Sequence, residues 1–365
     1  MAGRIVLFGA TGFTGRLVAA ALVERGARPV LAARSIEPLR ALGDELGGLE
    51  VAVADVARPE SVRDLVERGD VLISTVGPFM RFGDAAVEAA VASGAHYLDS
   101  TGEPPFIRRV FDHFGPRADG AGVALLTALG YDYVPGNLAA ALALRDAGEA
   151  AVRVRVGYYF IGRATPSGGT QASTAASALD PHFAYRDGRI QTERAAKRYT
   201  TFEVEGESRP AVSVGSTEHF GLPAAFPRLR EVDVYLGWFG RQSRGMQAFS
   251  AVGSVVARVP GATAGFGALT GRLVKGSTGG PEPERRSQER SYAVAVASDA
   301  SGRDLAEARV AGVNGYDFTG GMLAWAATRI AESGVNGRGA LGPVEAFGLD
   351  ELEAGVREAG IERVS

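Results

Sequence analysis

The sequence predicts an α/β protein. A doubly wound parallel sheet of Rossmann type is followed by a second α+β domain built on a mainly antiparallel sheet. Three observations carry this. Apolar runs alternate with amphipathic segments through the first third of the chain. A glycine turn, Gly9-Ala10-Thr11-Gly12-Phe13-Thr14-Gly15, joins the first apolar run to the first amphipathic segment. Past residue 150 the apolar period changes to two.

The apolar runs Ile5–Phe8, Pro29–Ala33, Leu49–Ala54, Val71–Thr75, His96–Asp99 and Val123–Ala128 read as strands covered on both faces. Between them, Arg16–Arg25, Ile36–Leu46, Pro59–Arg68, Asp84–Ser93 and Pro105–His113 read as helices. Strands and helices in strict alternation make a parallel sheet with right-handed crossovers. Later, Val152, Val154, Val156, Tyr158 and Phe160 alternate with other residues, and shorter runs of the same kind occur at Phe202–Val204, Val232–Leu236, Tyr292–Val296 and Leu305–Val313. These read as antiparallel strands with one wet face. Ser277-Thr278-Gly279-Gly280-Pro281 is the clearest break. Phe318–Ile330 and Leu349–Ala359 read as helices. The expected division is a nucleotide-binding domain over residues 1–148, a substrate or dimerisation domain over 149–315, and C-terminal helices over 316–365 that return to the first domain.

A chain of 365 residues accommodates two domains. There are no cysteines, which excludes disulfides, thiolate nucleophiles, Cys-ligated zinc and iron–sulfur clusters. The four histidines, His96, His113, His182 and His219, are not closely paired, so no metal site is expected. His182 and His219 lie in loop-like polar surroundings and read as surface residues. A net charge of −3 offers no basic excess for nucleic acid. The N-terminal segment lacks the layout of a signal peptide, which predicts a cytoplasmic location. Gly245–Ala257 and Val259–Thr270 carry no charge and are separated by Arg258. Each is too short to span a bilayer. Packing as a buried helix pair is the first reading; a lid for an acyl chain, or a surface touching membrane, stays open.

Each glycine of the turn has a physical task. Gly9 permits the tight turn, Gly12 lets the backbone approach a pyrophosphate, and Gly15 lets the helix pack on the sheet. Thr11, Phe13 and Thr14 bring backbone N–H groups to the same helix N-terminus. A site that prefers NAD places an acid at the end of the second strand. Here that strand ends in Ala33-Arg34-Ser35. The guanidinium of Arg34 matches a phosphate and Ser35 adds a hydroxyl, so the cofactor expected is NADP. Asp55 and Val56, ending the third strand, lie beside the adenine or, in the case of Asp55, cap the next helix. Thr75, Val76, Gly77 and Pro78, ending the fourth strand, pass along the nicotinamide half.

Four segments together resemble the saccharopine dehydrogenase-like oxidoreductases. They are Gly9–Gly15; Val76-Gly77-Pro78-Phe79 followed by Gly83; Tyr97-Leu98-Asp99-Ser100-Thr101-Gly102-Glu103; and Gly130-Tyr131-Asp132-Tyr133-Val134-Pro135-Gly136-Asn137. Ser167-Gly168-Gly169-Thr170, and Gly280-Pro281 followed by Arg285-Arg286, look like features of the branch that includes trans-acting enoyl reductases. The resemblance implies a Rossmann domain, an inserted α+β domain and pyridine-nucleotide-dependent reduction.

Such a reduction needs a proton as well as a hydride. The Tyr-x-x-x-Lys pair of short-chain dehydrogenases is absent, because the residues four before Lys197 and Lys275 are Glu193 and Gly271. The candidates are Tyr131, Asp132, Tyr133 and Glu103, with Tyr97, Tyr158 and Tyr159 behind them. For Asp132 and Glu103 a hydrogen-bonding role in shaping the turn stays open beside direct chemistry. The expected activity is NADP-dependent reduction of a C=C or C=N bond of a small or acyl substrate, in a homodimer. A non-catalytic NADP sensor and a saccharopine-type amino-acid dehydrogenase are the alternatives.

Overall fold

The computed structural model describes residues 3–162, 180–238 and 279–364, with Gly240, Ser243, Gly245, Gln247 and Ser250 between the last two segments. The Ser167–Thr170 motif and most of the uncharged stretch from 245 to 270 lie outside the described residues.

The first six strands are β1 (Ile5–Phe8), β2 (Val30–Ala33), β3 (Val51–Val53), β4 (Val71–Ser74), β5 (His96–Asp99) and β6 (Ala124–Leu126). The next eight are β7 (Arg153–Ile161), β8 (Pro181–Arg186), β9 (Arg189–Arg194), β10 (Tyr199–Val204), β11 (Glu207–Ser213), β12 (Glu231–Leu236), β13 (Arg290–Ser298) and β14 (Asp304–Gly312). Two short strands end the chain, β15 (Gly339–Ala340) and β16 (Ile361–Val364). The first sheet runs β15-β6-β5-β4-β1-β2-β3 and every pairing in it is parallel. This is the doubly wound order, with its switch point between β1 and β4.

The second sheet is mixed. Its main path is β10-β11-β12-β7-β13-β14-β16. All pairs are antiparallel except β7 with β12, which run parallel from Arg153↔Glu231 to Tyr158↔Leu236. Two hairpins fall between those strands in the chain, so β12 re-enters beside β7 in the same direction. The hairpin turns are Asp187-Gly188 and Glu205-Gly206, each with positive φ at both residues. That conformation suits the twist of a two-residue hairpin, and Asp-Gly is a strong sequence signal for it.

One apolar core joins the two sheets. Alternate residues of β1 divide between its faces: Val6 and Phe8 pack beneath one side, Ile5 and Leu7 beneath the other. The second side continues through the helix Val134–Ala147 into Val154, Val156, Val232, Val234, Ala293 and Ala295 of the second sheet. That helix is buried without interruption from Val134 to Leu144. Pro135 starts it, where no backbone N–H is needed, and Gly148 ends it at positive φ.

The C-terminal elements cross between the layers. The helix Gly315–Ser333 lies against the helix Phe13–Glu24, close enough that a Cβ on Gly320 would sit 3.1 Å from the Leu17 Cβ. Strand β15 extends the parallel sheet beside β6. The helix Leu349–Glu358 then leads to β16, which pairs with β14 of the second sheet. No helix of the described residues is long and apolar enough to cross a membrane.

Trp325 joins its own helix, Gly315–Ser333, to the short helix Pro343–Phe347 and to Leu349–Glu358. Its ring meets Phe347 edge-on at 4.8 Å and covers Gly355. Trp325→Ala is expected to lower the unfolding free energy by about 3–5 kcal/mol, read by urea denaturation. A loss below about 1 kcal/mol would mean that the C-terminal helices add little to the core.

Candidate active site

The glycine turn is fixed from behind. Gly9 has φ +92°, and a Cβ there would lie 2.6 Å from the Thr75 hydroxyl oxygen. The Thr75 hydroxyl faces the carbonyls of Gly9 and Phe8, at 3.1 and 3.3 Å, while its N–H donates to Phe8 at 2.9 Å. Thr75, expected along the cofactor, is therefore a clamp on the turn. The N–H groups of Gly9 and Ala10 both donate to the Ala32 carbonyl, at 2.8 and 3.1 Å. A Cβ on Gly15 would run into the Gly9 carbonyl, so only glycine lets the helix start here. Among the described residues the N–H groups of Phe13, Thr14 and Gly15 find no acceptor. Open donors at the start of a twelve-residue helix are what a pyrophosphate needs.

The Phe13 side chain points elsewhere. It meets Tyr316 edge-on at 5.2 Å, and the Arg286 guanidinium lies 5.7 Å above the ring. Gly280 packs directly on it. Arg286 in turn donates to Asp317 at 2.8 Å and to the Pro281 carbonyl at 3.0 Å. The Gly280-Pro281 and Arg286 motif thus packs on the Phe13 side chain, beside the glycine turn.

Arg34 leaves the end of β2 exposed, with no ion pair among the described residues. Ser35 occupies the position before the helix Ile36–Glu45 and its hydroxyl makes no bond to that helix. Asp55 does not cap the helix Pro59–Arg63, whose N-cap is Arg58 with no side-chain bond; it shapes the turn before it. Its Oδ1 accepts the Ala57 N–H at 2.9 Å, and the Ser61 hydroxyl accepts the Asp55 N–H at 3.0 Å. Val56 follows, half-buried.

Glu103 braces the Val76-Gly77-Pro78 segment. Its two oxygens accept the N–H groups of Phe79 and Met80, at 2.8 and 2.9 Å, where the short helix Phe79–Phe82 begins. The side chain is fully buried. A carboxylate with both oxygens engaged this way holds a loop and does not offer a proton, so this geometry does not fit Glu103 as the acid. Asp99 ties β5 to the loop after β6: it accepts from the N–H groups of Thr101 and Ala128 and from the Thr127 hydroxyl, at 2.8–2.9 Å. Burial raises its pKa to about 6 against those bonds.

The Tyr131–Tyr133 segment divides in use. The Tyr131 hydroxyl donates to the Tyr159 carbonyl at 2.7 Å, with that of Tyr292 at 3.3 Å. Its one proton is spent on the second sheet, which does not fit a proton donor. Burial holds this phenol well above its ordinary pKa. Asp132 faces Gly102, where a Cβ would lie 2.7 Å from the carboxyl. Its Oδ1 is shut from solvent and has no hydrogen-bond partner. Burial pushes its pKa up to about 7. Tyr133 is buried beside it, and its carbonyl accepts from Asn137 Nδ2 at 2.8 Å.

Sequence reasoning missed the residues on the far side of this segment. Glu218 is fully buried, and its Oε1 lies 2.6 Å from the Tyr158 hydroxyl. Burial raises its pKa to about 7. Asn137 also reaches the Thr217 hydroxyl at 3.0 Å. His219 is buried, not on the surface as expected; its Nδ1 pairs with Ser216, and burial lowers its pKa to about 3. His182 is likewise buried, on β8. Short runs of polar residues before an apolar helix looked like loop in the sequence, and only the packing of helix Glu218–Ala225 inside the core encloses them.

The parallel sheet, the glycine turn with open N–H donors and the free guanidinium at the end of β2 define a dinucleotide-binding Rossmann domain. Its particular kind follows from comparison: residues 5–124 match the family model described as the saccharopine dehydrogenase NADP binding domain. The first domain is thus an NADP-binding domain of the saccharopine dehydrogenase type, the cofactor and resemblance expected from the sequence. A trans-acting enoyl reductase of Mycobacterium ulcerans is 39% identical over 140 residues, covering 37% of this chain and 34% of the relative. One of Mycobacterium leprae is 40% identical over 140 residues, with the same shares. The matches therefore span about a third of the length of these curated relatives. An apo saccharopine dehydrogenase (L-Glu forming) of Saccharomyces cerevisiae aligns over 100% of both chains with a TM-score of 0.55 and 13% identity, a likeness of fold.

Arg34→Ala is expected to weaken NADPH binding about tenfold or more while leaving NADH binding nearly unchanged. Nucleotide fluorescence titration reads both. Equal weakening of the two would assign Arg34 to the shared part of the dinucleotide.

Proposed function

We propose that the chain is an NADP-dependent reductase acting on a C=C bond conjugated to the carbonyl of an acyl substrate. The observation that carries this is Asp132: a carboxyl with an unpartnered oxygen, at the carboxyl edge of the NADP-binding sheet, held protonated near neutral pH by burial. The names of the mycobacterial relatives support the enoyl substrate over an imine.

The residues present fit the cofactor. A Cβ at Gly12 would meet only the Gly9 carbonyl, at 3.2 Å, so the outer side of the turn is free for phosphate. Phe13, Thr14 and Gly15 would donate to the pyrophosphate, and Arg34 to the 2′-phosphate. Bound NADPH supplies a hydride. Asp132 delivers the proton to the carbon beside the carbonyl, becomes a carboxylate, and is reprotonated from solvent. Glu103 holds Val76–Pro78 in place, and Tyr131 anchors the acid-bearing loop to the second sheet.

A carboxylic acid serves this step only while protonated. Turnover in the reductive direction should therefore fall as pH rises through about 7, with a limiting slope of one proton. Asp132→Asn should lower kcat about 10²–10⁴-fold and remove that limb. NADPH oxidation with 2-enoyl thioesters, against a panel of 2-oxo acids with amines, tests substrate and acid together. Turnover of the imines alone, or an unchanged profile in the variant, would overturn the reading.

A further inference from the structure

The reductase reading leaves Glu218 and Tyr158 without a task. Both are fully buried and come from different elements, and Tyr158 links Glu218 to the loop that carries Asp132. The Tyr158 hydroxyl lies 2.6 Å from Glu218 Oε1 and 2.8 Å from the Tyr133 carbonyl, and it accepts the Gly136 N–H at 2.8 Å. No residue larger than glycine fits at 136, because a Cβ would strike the Tyr158 ring.

A phenol has one proton, so it serves one of its two acceptors at a time. With Glu218 ionised, the proton goes to the charged acceptor. The Tyr133 carbonyl then keeps the Asn137 amide. With Glu218 protonated, the carboxyl donates to Tyr158, and Tyr158 turns its own proton to Tyr133. The charge on Glu218 thus changes the hydrogen bonding of the residue next to Asp132.

The surroundings sharpen the dependence. Glu218 Oε2 and Asp132 Oδ1 are both buried without partners. Ser216 and His219 flank Glu218 on its own segment, with His182 behind them on β8. His219 is held neutral by burial. The arginines of that side are committed to other acids: Arg186 to Glu231 and Asp233, Arg198 to Glu193 and Asp233. No described cation pairs with Glu218, and after burial the charge of Asp132 adds to the rise of its pKa.

We propose that Glu218, acting through the Tyr158 hydroxyl, is a positioning residue whose charge sets the arrangement in which the Asp132–Tyr133 segment presents its acid. The catalytic consequence rests on the reading of Asp132 as the proton donor; the coupling itself needs no turnover.

Carboxyl NMR titration of the ligand-free protein, labelled at Asp and Glu, tests the coupling. Asp132→Asn should lower the Glu218 midpoint by about one pH unit, and Glu218→Gln should leave Asp132 titrating in one step at lower pH by a similar amount. Tyr158→Phe should raise the Glu218 midpoint, because it removes a donor to the carboxylate. Each variant is judged alone, so one that fails to fold leaves the others decisive. Midpoints in Glu218→Gln and Asp132→Asn within about 0.2 unit of wild type would overturn the proposal. With substrate, Glu218→Gln should move the basic limb of the kcat profile and spare KM. A fixed limb would also overturn it. Absence of turnover in the wild type would remove the reductase reading and leave the titration result standing.

Discussion

The structure depends on one constraint: the helix Val134–Ala147 has no face for water. Every residue from Val134 to Leu144 is buried, packed against β7, β13 and β14 and against the helices Glu218–Ala225, Pro343–Phe347 and Leu349–Glu358. At about 25 cal/mol per Å² of apolar surface, displacing such a helix costs more than a domain's whole net stability. The second sheet and those three helices are therefore held together around it. The loop Gly130–Tyr133, which feeds into the helix, is pinned at the carboxyl edge of the first sheet by the same packing.

Burial has an electrostatic price at that place. Glu218 and Asp99 are removed from water, as is the Oδ1 of the half-buried Asp132, and desolvation disfavours their charged forms. Asp99 recovers part of the cost through three hydrogen bonds. Asp132 and Glu218 each retain an oxygen with no partner. Raised pKa values also tie stability to pH. A carboxyl protonated in the fold and ionised in the unfolded chain stabilises fully below about pH 4, and that contribution is lost as pH rises through the folded value. His219 acts oppositely: being neutral in the fold, its contribution is lost as pH falls from its ordinary range toward about 3.

The parallel sheet was legible because each of its first six strands is a short apolar run closed by glycine or a polar turn. The ranges read from periodicity differ from the observed ones by a residue or two at the ends. The glycine turn and Arg34 were legible for a related reason: both are local, and their chemistry follows from position at a strand end. Strands β8, β9 and β11 were not read, since their half-buried residues carry many charges, as in Glu207-Ser208-Arg209. The signals that give them away are the hairpin turns at Asp187-Gly188 and Glu205-Gly206. Glu218 had no local signal at all. Its meaning comes from Tyr158 and Tyr133, 60 and 85 positions away in the chain, brought to it by the shared core.

The contact between Phe13 and the Gly280–Arg286 segment ties the nucleotide turn to a stretch more than 260 residues further along the chain. Whatever holds the turn in its binding shape also holds that segment against it. By linkage the influence runs equally in both directions. Occupancy of the nucleotide site and the packing of a stretch far along the chain become coupled equilibria, so a change at Arg286 would be felt as a change in cofactor affinity without touching the cofactor.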